Sequence, residues 1–232
     1  MNKKSKKLLA VVAHPDDESF GFGGTLAKYA KEGVDIHVLC ATKGEHGEGG
    51  GNLGLIREKE IRTASKILGV KRVDFLGYID GTLCNNLYHE IAQKVERKIA
   101  EFKPHAVITF DRLGISGHID HVAMSLITTY VCQKYQDQLS LYYYCVCKEY
   151  TDKNSDYFIY FPPGYEFKDI DVIIDTKAVW ELKVAAMEAH KSQINDVKRI
   201  LTQNEGMPKR EYFIKACIPK KHTKPATDLF TA

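Results

Sequence analysis

The chain has 232 residues, 44% hydrophobic and 27% charged, with 33 basic against 30 acidic side chains and a net charge of +3. That balance fits one soluble globular domain over 1–232 and excludes a disordered chain, while the small basic excess gives no footing for a nucleic-acid partner. No apolar run approaches the ~18 residues that cross a membrane, so no membrane anchor is expected.

In chain order, Lys3, Lys4, Lys6 and Lys7 make a basic N-terminus over 1–7 that is expected to be flexible. The apolar run 8–13 is too short for a signal-peptide core and reads as a buried first strand. Further strands are expected at 36–41, 73–76, 106–110, 141–146 and 172–174. Between them, apolar residues at three- and four-residue spacing predict helices over 25–31, 55–68, 87–102, 120–135 and 177–194. Strands alternating with helices imply an α/β fold, a Rossmann-like three-layer sandwich with a mostly parallel central sheet. In such sheets sites gather beyond the carboxyl ends of the strands. Three polar, Gly-rich loops follow strands directly: 14–24, 42–54 and 111–120. The six cysteines contain no CxxC pair, and four lie in apolar or strand-like runs, so they read as reduced packing thiols in a cytoplasmic protein. Cys145 and Cys147 would share a strand face, yet no further Cys or His lies nearby to complete a metal set.

The first loop opens with His14-Pro15-Asp16-Asp17-Glu18, one imidazole and three carboxylates in five residues. Carboxylates so crowded repel one another unless a cation or protonation relieves them, and zinc accepts imidazole nitrogen and carboxylate oxygen together. The third loop supplies His118-Ile119-Asp120-His121, again after an apolar strand and at a helix start. If both loops leave the same sheet edge, the two clusters meet and form a metal site. Singly, each cluster also fits a blander role, as a turn with a capping Asp or as histidines at a helix end. His37, His89, His105 and His222 are isolated and read as surface or satisfied core histidines. His46, in the second loop, is either a substrate contact or part of a solvated loop. Gly21-Phe22-Gly23-Gly24 has the wrong spacing for a dinucleotide fingerprint and reads as close packing at a helix start.

These strings, Ala13-His14-Pro15-Asp16-Asp17-Glu18 with Gly23-Gly24-Thr25, and Gly117-His118-Ile119-Asp120-His121, resemble the PIG-L/LmbE family of zinc-dependent N-deacetylases. Supportive likeness extends to Thr42-Lys43-Gly44-Glu45, Arg57-Glu58, His190-Lys191-Ser192-Gln193 and Asp228-Leu229-Phe230. The resemblance implies that His14, Asp17 and His121 ligate one zinc or other divalent ion and that Asp16 is the general base. It implies that His118 polarises or protonates at the reacting amide, oriented by Asp120, and, more weakly, that Arg57 and Asp80 bind substrate hydroxyls. The partner would be a small N-acetylated amino sugar or glycoside, for family members act on N-acetylglucosamine joined to malate, inositol, phosphatidylinositol or chitooligosaccharides. A homo-oligomer is left open. Ile119 stands where Pro is frequent, and Ser116 where some members carry a Tyr that assists at the oxyanion. Two competing readings are a metal phosphoesterase, which needs more ligands, and a non-catalytic sugar-binding module, which the intact Asp16 and His118 oppose.

Overall fold

The sheet is built from seven short strands, β1 Lys7–Val12, β2 Asp35–Thr42, β3 Arg72–Tyr78, β4 Ala106–Phe110, β5 Ser140–Cys145, β6 Val172–Asp175 and β7 Arg210–Lys215. They are seen in a computed structural model that describes residues 5–47, 51–152, 160–216 and 225–231. The spatial order is β3-β2-β1-β4-β5-β7-β6. The pairings β3·β2, β2·β1, β1·β4 and β4·β5 are parallel, and β7 alone runs against its neighbours β5 and β6. Every position of β4 is buried, as is all of β1 after its first residue. Such continuous apolar strands fit a sheet covered on both faces.

The helices are α1 Asp17–Phe20, α2 Gly23–Lys31, α3 Leu53–Leu68, α4 Tyr88–Phe102, α5 Gly114–Gly117, α6 Ile119–Gln133, α7 Lys148–Asp152, α8 Trp180–Glu188 and α9 Ile194–Gln203. Helices α2, α3 and α8 pack on one another in one layer, and α4 packs on α6 in the other. This is the three-layer α/β architecture that the alternation of elements implies.

Two expectations about elements need correction. The span 177–194 is not one helix: α8 ends at Glu188, His190 takes φ −83°, ψ 65°, and a 3₁₀ turn over Lys191–Gln193 leads into α9. Strand β7 escapes the sequence because Arg210, Glu211 and Lys215 break its apolar run, yet Glu211 is buried. Of the basic N-terminus, 1–4 lie outside the described residues, but Lys7 opens β1 and its Nζ donates to the Phe102 carbonyl. Cys217 and His222 also lie outside the described residues.

Glu211 explains the glycine run. Its carboxylate accepts from the backbone N–H of Gly24 and Thr25 at 2.9 and 2.7 Å and from Lys183 Nζ at 2.7 Å. Lys183 Nζ also donates to the Gly21 carbonyl. A protein carboxylate thus occupies the amides at the start of α2 where a phosphate would otherwise bind. A Cβ on Gly24 would come within 2.7 Å of Thr176 and 2.9 Å of Glu211, so only glycine fits.

Candidate active site

Strand β1 leads through α2 to β2 on one side, whereas β4, on its other side, leads through α6 to β5. The chain leaves these two neighbours in opposite directions, which opens a crevice at their carboxyl ends. His14 follows β1, and the loop ending at His121 follows β4. The loops after β2 and β3 close the sides with Gly44 to His46 and with Asp80. The loop after β4 folds around buried Asp111, whose Oδ1 accepts the N–H of Leu113 at 2.8 Å and of Ile115 at 3.1 Å.

Two ring nitrogens and the two oxygens of one carboxylate converge there. His14 Nδ1 lies 3.2 Å from His121 Nε2, His121 Nε2 lies 3.2 Å from Asp17 Oδ1, and His14 Nδ1 lies 3.7 Å from Asp17 Oδ2. Ligands about 2.0–2.1 Å from a tetrahedral ion are separated by about 3.3–3.4 Å. The observed spacing fits. The tautomers fit as well. His14 Nε2 faces Asp80 Oδ1 at 2.9 Å and Asp120 Oδ2 at 3.2 Å, and His121 Nδ1 faces the Gly114 carbonyl at 3.1 Å. With their outer nitrogens donating to oxygen, both rings turn their inner nitrogens toward Asp17; in the metal-free protein His14 carries a second proton there, whose place a bound cation would take. Asp17 Oδ2 is meanwhile held by the N–H of Ala13 and His14. Burial alone would raise the Asp17 carboxyl, but His121 and His14 outweigh it and hold it well below the usual carboxylate range. Burial would lower His14, but Asp120, Asp80 and Asp17 overcome it and raise the metal-free imidazole to about 10.

His118 also brings a ring nitrogen within 4.8 Å of His14 and His121. Its Nδ1, however, accepts the backbone N–H of Asp120 at 3.2 Å, so the neutral ring carries its proton on Nε2 and acts as a donor. Burial, with His121 and His14 adding to it, pushes His118 down to about 4. It is therefore neutral at neutral pH.

Asp16 sits beside the three donors with φ 120°, ψ −29°, a backbone conformation that costs a non-glycine residue about 1–3 kcal/mol. Its carbonyl begins α1, accepting from Ser19 and Phe20 N–H. Its Oδ2 accepts from Arg57 Nη2 at 2.9 Å, and the same nitrogen donates to the Pro15 carbonyl at 2.7 Å while Nη1 donates to the Gly44 carbonyl. Burial raises the Asp16 carboxyl, Arg57 pulls against it, and Asp17 adds to the rise, leaving it near 7.

The structure brings His14, Asp16, Asp17, Arg57, Asp80, His118 and His121 to one cavity of about 590 Å³. Three side chains make contacts beyond those the resemblance implies. Asp120 turns its carboxylate to His14, Gly81 N–H and Leu83 N–H, and reaches His118 through its own backbone N–H. Asp80 likewise backs His14 and accepts from His46 N–H. Arg57 is 4% exposed, with both terminal nitrogens spent on protein oxygens. Both side chains expected on substrate hydroxyls line the cavity and also brace the site. Ser116 lines the cavity, and His46 stands exposed at its edge. Sequence reasoning missed Asp111, and it missed the buried pairing of Glu18 with His190. Glu18 was counted only among crowded carboxylates, and His190 was placed inside a helix.

The family model described as "PIG-L: GlcNAc-PI de-N-acetylase" matches residues 9–132. A 1D-myo-inositol 2-acetamido-2-deoxy-alpha-D-glucopyranoside deacetylase from Mycobacteroides abscessus is 31% identical, the match covering 82% of each chain. Among solved structures, N,N'-diacetylchitobiose deacetylase from Pyrococcus horikoshii shares the fold with a TM-score of 0.65 at 22% identity, covering 98% of this chain and 90% of that one. GalB, the 4-carboxy-2-hydroxymuconate hydratase from Pseudomonas putida, superposes with a TM-score of 0.71 at 18% identity, covering 94% and 99%. A deacetylase and a hydratase on one fold make the site, rather than the fold, the carrier of the chemistry. The chain belongs to the PIG-L family.

Proposed function

We propose that this PIG-L family protein is a zinc-dependent N-deacetylase that removes acetyl from an N-acetylglucosamine-type glycoside. The observation that carries this reading is the convergence of His14 Nδ1, His121 Nε2 and the Asp17 carboxylate at 3.2–3.7 Å, with the Asp16 carboxylate held beside them by Arg57 at 2.9 Å. His14, Asp17 and His121 hold the ion, which when bound supplies a Lewis acid for the amide carbonyl and an acidified water. Asp16 takes the proton of the attacking water, a role that a carboxyl poised near neutrality suits. His118 donates its Nε2–H to the carbonyl oxygen as charge develops there, a contribution worth about 3 kcal/mol. Asp16 returns the proton to the departing nitrogen, giving acetate and a free amine.

The cavity continues past Tyr144 to Val146, Tyr150, Phe161 and Tyr212, room for a group carried by the sugar. Among the described residues no helix is long and apolar enough to cross a membrane, and the free cysteines suit a reducing, cytoplasmic setting. A two-metal phosphoesterase would need a second ion between His14, Asp80 and Asp120, whose donor atoms also cluster. There the His14 nitrogen is the one donating to both carboxylates, so one ion per chain is expected.

Asp16→Asn tests the reading. Turnover of a panel of N-acetylglucosaminides, bearing inositol, malate or a second sugar, is followed by amine release beside metal analysis. Loss of turnover with one zinc retained is expected. Full activity in metal-free protein, or in the variant, overturns it.

A further inference from the structure

Asp16 cannot hold φ 120°, ψ −29° unaided, and Arg57 grips only its carboxylate and the carbonyl before it. The backbone N–H of Asp16 has its own acceptor, Glu18 Oε2, at 3.1 Å. Glu18 is wholly buried and two residues away, so its side chain curls back over the first turn of α1. Its other oxygen, Oε1, accepts from Ser19 Oγ at 2.6 Å and from His190 Nε2 at 3.0 Å. His190 is also wholly buried, packs edge-on against Phe20, and belongs to the turn that interrupts α8 and α9. That turn is anchored from α3, where Glu60 accepts from Ser192 N–H at 2.8 Å and from Ser192 Oγ at 2.7 Å. The path runs from α3 through the interhelical turn to His190, Glu18 and the amide of Asp16.

We propose that the Glu18–His190 pair is the positioning element for Asp16, fixing the strained backbone that aims its carboxylate at the reacting water. The inference rests on Asp16 being the base. Neither member touches the convergent donor atoms, for the Asp17 oxygens are held by backbone N–H groups and His121. A break in the pair therefore misplaces the base and leaves the ligands standing. Buried polar pairs placed around a reacting group act through orientation, and small misplacements cost rate steeply.

The test is a kcat and KM comparison on the substrate found in the panel above, with zinc content measured for each variant. Glu18→Ala is expected to lower kcat about 100-fold, with KM within about twofold and one zinc per chain. Glu18→Gln keeps an oxygen for the Asp16 N–H and can offer its amide to a His190 that has shifted its proton to Nδ1. It is expected to recover kcat to within about fivefold of the parent. His190→Asn, an independent route should Glu18→Ala fold poorly, is expected to lower kcat about tenfold at constant KM. Glu18→Ala and His190→Asn with parental kcat overturn the proposal, as does a loss of zinc or a matching rise in KM, which would mark a merely structural pair. If Asp16→Asn is itself fully active, the base assignment fails instead, whatever Glu18 does.

Discussion

Two buried charged clusters sit on opposite ends of α1, and they are balanced differently. At Glu211 every group has its complement: the carboxylate takes two backbone N–H groups and Lys183, and Lys183 takes the Gly21 carbonyl as well. At His14 the inner nitrogens of His14 and His121 crowd the Asp17 carboxylate, with a proton on His14 where a cation would sit, and Asp16 stands alongside in a strained conformation. A satisfied cluster stabilises the fold, whereas one completed by an outside cation spends stability on chemistry.

The sharpest way to break that comparison is His121→Ala. Zinc should be lost and turnover should fall at least about a thousandfold, by metal analysis and amine release. Glu211→Ala should do the reverse. It strands a buried Lys183 and two helix N–H groups, and should cost about 3–5 kcal/mol in denaturant unfolding. Activity per folded, zinc-loaded molecule should stay close to that of the parent.

Asp80→Ala sharpens the comparison from within. It removes one of the two acceptors that hold the His14 tautomer, and zinc affinity should drop about 10–100-fold in a chelator competition. A unchanged affinity would mean that Asp80 serves the substrate and not the metal. The pH dependence is the smallest effect. In the metal-free protein His14 is raised from 6.5 to about 10, so its contribution to stability is full below about pH 6.5 and is lost as pH rises through about 10. Zinc must displace that proton. Apparent zinc affinity should therefore increase with pH by up to about tenfold per unit below pH 10. Calorimetry in buffers of differing ionisation enthalpy should record a released proton, and a flat profile would contradict the charged His14.

The Asp80 and Arg57 placements mark where the sequence stopped being legible. Motif position put both on the substrate, but an acceptor 2.9 Å from His14 Nε2 and a guanidinium spent on Pro15, Gly44 and Asp16 are facts of packing. His190 was legible as part of a family-like string but not in its place, because its helical period continues from α8 into α9 while the backbone turns between them. Strand β7 was hidden for a related reason. Its charged Glu211 reads as exposed until the start of α2 supplies it with partners.

By itself the sequence determined the alternation of strands and helices and the two dense clusters, His14-Pro15-Asp16-Asp17-Glu18 and His118-Ile119-Asp120-His121, while their division into ligands and base came from the family resemblance. Those features rest on local patterns: apolar runs of strand length, helical spacing, and carboxylates too dense to stand without a cation. The tertiary structure decided which nitrogen of each histidine faces inward, that Asp120 and Asp80 support His14, and that Asp16 is held from below by Glu18 and His190. Those depend on distances between residues as much as 172 apart in the chain. Folding sets such distances, and no local pattern encodes them.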